Sequence, residues 1–343
     1  MSDHDGLPPL RLTGVVETTG GWSLQGGSRD NPLVGGFYPN DGVSPNGEAV
    51  LQWRPVDNVS AVIDLGFGPN FRATQPSGLT SGAPFDPVQM YTRYCPGIFC
   101  IGGGRFLTGM GYEVIRADQN DFIFRGPKFY RIPYTETGGE IQLGNDTARF
   151  TVRVTPGPDR VQDNNGFPYF HTNLTLNPAP VFSLFANYQF GPEQDNNTQY
   201  WRHTADLGIG LNPSSSIGYI LYGLYGAEST QAGGWRQWGG VDLVFRARPE
   251  NGPVGFYLRT GATHDDGIWN GLAQPMNFAQ FGGGLSVFVA DILQIRLQVD
   301  LLAGVDGLRP FNGNDVLPRI GLQMVFGHSV DVGLQPSILD KEG

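Results

Sequence analysis

Between Gly104 and Gly139 a strand-like run gives way to a polar segment carrying Glu113, Asp118 and Asp121, which returns through Arg125, Lys128 and Arg131 into a second strand. Carboxylates and guanidiniums at this spacing point to electrostatics rather than to covalent chemistry. Set across a water-filled gap, opposed charges create a field that sorts ions and polar solutes. The segment is therefore expected to fold into a barrel interior, with Glu113, Asp118, Asp121 and Arg125 as a pore constriction. Opposing charges are available on the strands. Arg149, Arg153, Arg202, Arg236, Arg246, Arg259, Arg296 and Arg319 all sit opposite an aliphatic face, as residues of a wet lumen wall would.

Other chemistries find less support. Glu136 with Glu140, or Asp265 with Asp266, could be read as the acid and base of a glycosidase, but their separation is not legible in sequence. His171 and His203 lie on different strands, and no GxSxG-type serine motif accompanies them. Asp163-Asn164-Asn165-Gly166 has the oxygen donors of a calcium loop but lacks the downstream glutamate, so a turn is expected. Cys95 and Cys100, in YCPGIFC, make a poor metal site without a nearby histidine. They could close a tight turn as a disulfide in an oxidising compartment, or remain as buried thiols. No metal, cofactor or enzymatic activity is expected. A net charge of −10 argues against a nucleic-acid partner.

These residues need elements to position them, and the pattern is of period two almost throughout. From 181 to 190, Phe182, Leu184, Ala186, Tyr188 and Phe190 share one face while Ser183, Asn187 and Gln189 share the other. From 293 to 301, Leu293, Ile295, Leu297, Val299 and Leu301 oppose Gln294, Arg296, Gln298 and Asp300. About 16 such strands can be placed between residues 10 and 327, an even number in the range of single-chain barrels. Compact turns such as Asn145-Asp146-Thr147 alternate with longer polar loops such as 25–45, 71–86, 156–167, 265–276 and 306–315. The 51 glycines and 12% aromatic residues fit strands and turns. No run approaches the ~18 apolar residues of a membrane helix, so a bilayer could be crossed only by a closed barrel.

Alternation alone does not separate this barrel from a soluble β sandwich, whose apolar faces would turn inward. The mid-strand arginines favour the barrel. So do aromatic residues at the ends of apolar faces (Trp53, Phe67, Phe182, Phe190, Trp201, Phe245, Phe256 and Phe326), placed as an interfacial girdle would be. The expectation is an all-β, transmembrane antiparallel barrel occupying 1–343 as a single domain. Residues 1–9 would form a periplasmic N-terminal segment and 328–343 a C-terminal tail. MSDHDGLPPL lacks the charged start and apolar core of a signal peptide, which fits a cytosolic protein or a mature exported chain; the second is expected.

Residues 104–139 also resemble the OmpL-like β-barrel porins of Gram-negative bacteria. The resemblance is carried by Gly104-Arg105-Phe106, Thr108, Gly111-Tyr112-Glu113-Val114 and the return Pro133-Tyr134-Thr135-Glu136-Thr137-Gly138, and more loosely by LQWRPVDNVSAVIDLGFG. It implies an outer-membrane porin passing small hydrophilic solutes or ions, with outer-membrane lipids as surroundings and no assigned substrate. Homotrimers are common among porins, although no motif here specifies one. The chain departs from many such barrels in ending on QPSILDKEG rather than on an aromatic residue; Phe326 could serve instead. Two alternatives stand beside the channel: a barrel with a plugged lumen whose outer loops bind a partner, and a soluble lectin-like or carbohydrate-active β protein.

Overall fold

The computed structural model describes residues 10–24, 41–77, 85–249, 252–267, 275–289, 292–305 and 315–332. Its strands are β1 (Leu10–Ser23), β2 (Asp41–Val56), β3 (Val59–Phe67), β4 (Phe85–Tyr94), β5 (Phe99–Leu107), β6 (Thr135–Gly144), β7 (Ala148–Thr155) and β8 (Tyr169–Ala179). They continue as β9 (Phe182–Pro192), β10 (Trp201–Ser214), β11 (Ile217–Ser229), β12 (Trp235–Ala247), β13 (Val254–Asp265), β14 (Met276–Val289), β15 (Leu293–Gly304) and β16 (Val316–Val332). Each pairs antiparallel with its sequence neighbours, and β1 pairs with β16 from Leu10↔Val332 to Ser23↔Arg319. Closure leaves no strand edge, so the backbone N–H and C=O groups of the wall are satisfied without water, a requirement for strands in hydrocarbon.

Most strand boundaries fall close to those expected from alternation, and the largest differences are at three. β2 begins at Asp41, inside the segment expected to be a loop from 25 to 45; residues 25–40 lie outside the described residues. β6 begins only at Thr135, beyond the Arg131 return expected to run into a strand, because Phe129–Arg131 form a 3-10 turn with Phe129 and Arg131 buried. β16 continues to Val332, so residues 328–332 belong to the wall rather than to the tail expected from 328. The segments 1–9, 78–84, 268–274, 306–314 and 333–343, which include parts of the expected long loops and of both termini, also lie outside the described residues.

The two faces of the wall separate cleanly. On β15, Leu297 and Val299 are 47% and 55% exposed, whereas Gln298 and Asp300 are fully buried. Leu184 and Ile295 share the outward faces of their strands. On β9, Tyr188 is exposed while Asn187 and Gln189 are buried. Exposed aliphatic side chains continue around the outside, including Leu12, Ile141, Leu207, Leu221, Leu243, Leu258 and Leu322, and Trp53, Phe67, Phe256 and Phe326 stand exposed near strand ends. A soluble sandwich needs the reverse arrangement, so that alternative is set aside. An apolar exterior around a polar interior matches a wall solvated by lipid outside.

Candidate functional site in the barrel lumen

All eight arginines expected on the lumen wall share the sequence parity of the buried polar residues of their strands. What surrounds them differs from strand to strand. Arg153 bridges Glu136 and Glu140, and Arg93 also reaches Glu140 at 2.6 Å. Arg202 pairs with Glu228 at 2.9 Å, and Arg319 pairs with Asp300. Arg259 meets Glu113 at 2.7 Å and Asp300 at 3.4 Å. Arg149 lies at a turn with Asp146, 2.7 Å away. Arg246 donates to Asn212 at 3.0 Å, and Arg296 to Gln323 at 3.0 Å and Gln294 at 2.6 Å. Arg236, at the long-loop end of β12, is exposed.

Residues 108–134, which join β5 to β6, bond to lumen-facing side chains on the far wall. Gly111 donates its backbone N–H to Asp206 on β10 at 2.6 Å, and the Tyr112 hydroxyl reaches Asp242 on β12 at 3.2 Å. The Ile123 and Phe124 N–H groups both donate to Gln298 of β15. Lys128 meets Asp242 at 2.9 Å and Arg131 meets Asp265 at 2.9 Å. Wall guanidiniums also lie over rings of the segment: Arg259 is 4.3 Å from the centroid of Phe122, and Arg319 is 4.4 Å from that of Phe124. A planar, weakly hydrated cation on an aromatic face is favourable where water is scarce.

The wall is cut to receive the segment. A Cβ added at Gly321 on β16 would lie 2.9 Å from the Phe124 ring and 3.3 Å from Ile123. Within the segment, Gly111 has a φ of +82°, a left-handed conformation that glycine adopts without steric cost. Asn120 closes a small internal loop, accepting from Val114 N–H at 2.9 Å and donating to the carbonyls of Val114 and Arg116.

The four residues expected at the constriction occupy different surroundings. Glu113 is buried, accepting from Arg259 and from the N–H of Gly126 at 2.7 Å. Arg125 is fully buried and donates to the carbonyls of Val114, Ile115, Phe122 and Ile123. A charge held in this way braces the backbone of the segment around it. Asp118 and Asp121 instead border an open cavity of about 720 Å³ that Arg246, Arg248 and Arg296 also line. A second cavity, of about 370 Å³, lies at the short-turn end near Arg54, Arg93 and Arg149, beside the turn in which Cys95 and Cys100 are disulfide-bonded.

Sequence reasoning did not pick out the acidic half of this lumen: Asp206, which accepts from Gly111 and Asn187, Asp242, which meets Lys128, and Asp300, which meets Arg259 and Arg319. The signal was available, since these aspartates occupy the same alternating positions as the arginines. The carboxylates considered for glycosidase chemistry are engaged elsewhere. Glu136 holds His171 and Arg153, and Asp265 holds Arg131. His203 is on the outer face, against Tyr188, Trp201 and Trp235, so the two histidines do not meet. Asp163 accepts the N–H groups of Asn165 and Gly166, closing a turn. Among the described residues no three His, Cys, Asp or Glu side chains converge on a metal position.

A closed antiparallel barrel of sixteen strands, apolar outside and ionic within, is an outer-membrane β-barrel of the porin type. The chain belongs to the family described as "Putative beta-barrel porin-2, OmpL-like", whose model matches residues 9–307. No curated protein matches the sequence. Among solved structures it is similar to an anion-selective porin from Comamonas acidovorans, at 12% identity and a TM-score of 0.62, covering 93% of this chain and 99% of the other. It is also similar to OmpF of Salmonella typhi in complex with daunomycin, at 10% identity and a TM-score of 0.64, with coverage of 96% and 99%. OmpT of Vibrio cholerae, in a trimer form, matches at 7% identity and a TM-score of 0.62, with coverage of 94% and 100%. Identities this low carry the fold alone.

Proposed function

We propose that this protein is a passive, non-enzymatic outer-membrane channel for small hydrophilic solutes or ions, with residues 108–134 narrowing its lumen. The observation that carries the reading is the inversion of the wall: aliphatic side chains outside, and paired arginines and carboxylates inside. Ionic groups at that density serve a barrel that admits water and polar solutes, and an aliphatic belt serves one seated in lipid. Asp118 and Asp121 share one cavity with Arg246, Arg248 and Arg296, charges of both signs that supply a field across the passage. The short turns would face the periplasm and the long loops the exterior, in the sense usual for such barrels. Assembly as a homotrimer is part of this proposal, supported by the trimer form of the similar OmpT.

A second reading, a plugged barrel whose outer loops bind a partner, is favoured by one observation: Phe122 to Phe129 is buried throughout within the lumen. Planar-bilayer recording of the refolded chain separates the two. Stable ohmic steps are expected for the channel; a silent membrane under conditions where the barrel is folded would overturn it and leave the plugged barrel.

A further inference from the structure

Many guanidiniums of the lumen are matched by carboxylates, and two of those around the 720 Å³ cavity are not. Elsewhere in the lumen guanidiniums meet carboxylates: Arg93, Arg105, Arg153, Arg202, Arg259 and Arg319 are all in ion pairs. Around the cavity, Arg246 and Arg248 are in no ion pair among the described residues. On the segment side, Asp118 is already engaged by Arg116 at 2.7 Å. Asp121 is then the one lining carboxylate outside an ion pair, set against the guanidiniums of Arg246, Arg248 and Arg296.

The positions of the cations are also held. Arg248 lies 3.5 Å over the centroid of the Phe288 ring, a stacked arrangement that fixes the plane of its fork without using its N–H donors. Arg246 is tied to Asn212, and Arg296, buried, donates to the Ala117 carbonyl at 2.7 Å. Ser214, Ser215 and Ser216 line the same cavity and add hydroxyl and N–H donors. A concave site with surplus, oriented guanidinium groups, hydroxyl donors and an apolar patch at Tyr257 and Phe288 is complementary to a compact anion bearing planar or tetrahedral oxygens.

We propose that this cavity binds a small oxyanion, a carboxylate or a phosphate, held chiefly by Arg246 and Arg248 at the short-turn end of the lumen. The proposal rests on the channel reading for its use, as the place where an anionic solute pauses during passage, but the site itself can be tested without any conductance.

The test is calorimetric titration of the refolded full-length chain in detergent at low salt, with inorganic phosphate and with succinate as separate probes. Saturable binding is expected for at least one probe; succinate alone identifies a carboxylate solute, and phosphate alone a phosphate-bearing one. Arg246→Gln and Arg248→Gln should each weaken binding roughly tenfold, the loss of one charge-assisted hydrogen bond. Arg248→Lys should keep part of the affinity, Asp121→Asn should tighten binding, and Arg72→Gln, exposed at the far end, should leave it unchanged. Far-UV circular dichroism and heat-modifiable migration confirm that each variant is folded. Absence of saturable binding by the folded wild type, or wild-type affinity in both glutamine variants, overturns the proposal. Bilayer recording alongside keeps the two claims apart: binding with a silent membrane refutes the channel and keeps the site, and open steps without binding do the opposite.

Discussion

At the scale of single residues, Arg259 ties the 108–134 segment to the barrel wall. It joins Glu113 of the 108–134 segment to Asp300 of β15, donates to the Phe124 carbonyl at 2.9 Å and lies over Phe122. Desolvation makes such a pair a weak source of net stability, yet removing one partner leaves buried charge uncompensated, at roughly 3–5 kcal/mol. Arg259→Met is therefore expected to lower the urea midpoint of the refolded barrel and to expose 108–134 to protease; an unchanged digestion pattern would show that the segment is held by other contacts. Two carboxyls in the long loops give a pH dependence. Asp159 is pushed up to about 7 by withdrawal from water, against the pull of the Thr135 and Tyr134 N–H groups. Glu193 is pushed up to about 8 by burial, opposed by Arg202 and Arg160. Both are raised above ordinary unfolded values of ~3.9 and ~4.3. Their contribution to stability is thus full below about pH 4 and lost as pH rises through about 7 and 8. Amide hydrogen exchange over 156–168 and 193–200 should quicken, beyond the intrinsic rate increase, between pH 4.5 and 8.5, and Asp159→Asn should flatten the Asp159 part of that change.

At the scale of elements, the 108–134 segment and the β16 wall fit together through Gly321. A Cβ there meets the ring of Phe124, which cannot retreat far because its own N–H and that of Ile123 are held by Gln298. Gly321→Val should push the segment off this wall while leaving the strand pairing intact. Larger single-channel conductance and faster uptake of larger uncharged solutes by liposomes are the expected results; conductance and uptake like those of the wild type would mean that the segment does not set the width. The same reasoning separates two kinds of charge within it. Glu113 and Arg125 brace the segment, whereas Asp118 and Asp121 border the cavity, so under the proposed channel neutralising Asp118 and Asp121 is expected to shift ion preference and neutralising Glu113 to loosen the segment.

For the whole molecule, the decisive property is which solvent each face meets. Val299 is 55% exposed on the outer belt, and Gln298 and Asp300 beside it are fully buried in the lumen. A charge on the outer belt must enter lipid, at about 2–4 kcal/mol for arginine near the midplane. Val299→Arg should therefore make the folding free energy in lipid vesicles less favourable by about that amount, whereas the same substitution on a water-exposed sheet would be almost neutral. Equal folding of Val299→Arg and wild type in vesicles would contradict the lipid-facing assignment of β15.

The strands, their number and the division of each into two faces were determined by the sequence itself, because the period of a strand is two and a slip of one residue would send Leu297 and Val299 into the lumen and Gln298 and Asp300 into lipid. The arginines of the wall were legible for the same reason. The start of β6 and the full length of β16 were not, since Phe129–Arg131 read as strand until burial in the lumen bends them, and 328–332 read as tail until paired with β1. Least legible were the partners. Glu113 with Arg259, Lys128 with Asp242 and Arg131 with Asp265 are separated by more than a hundred residues, and only barrel closure and strand stagger bring them within hydrogen-bonding distance. Residue type and alternation specified that the lumen would be charged; the tertiary structure decided which charges cancel and which, around Arg246 and Arg248, remain, because cancellation depends on distances across the barrel that no local pattern encodes.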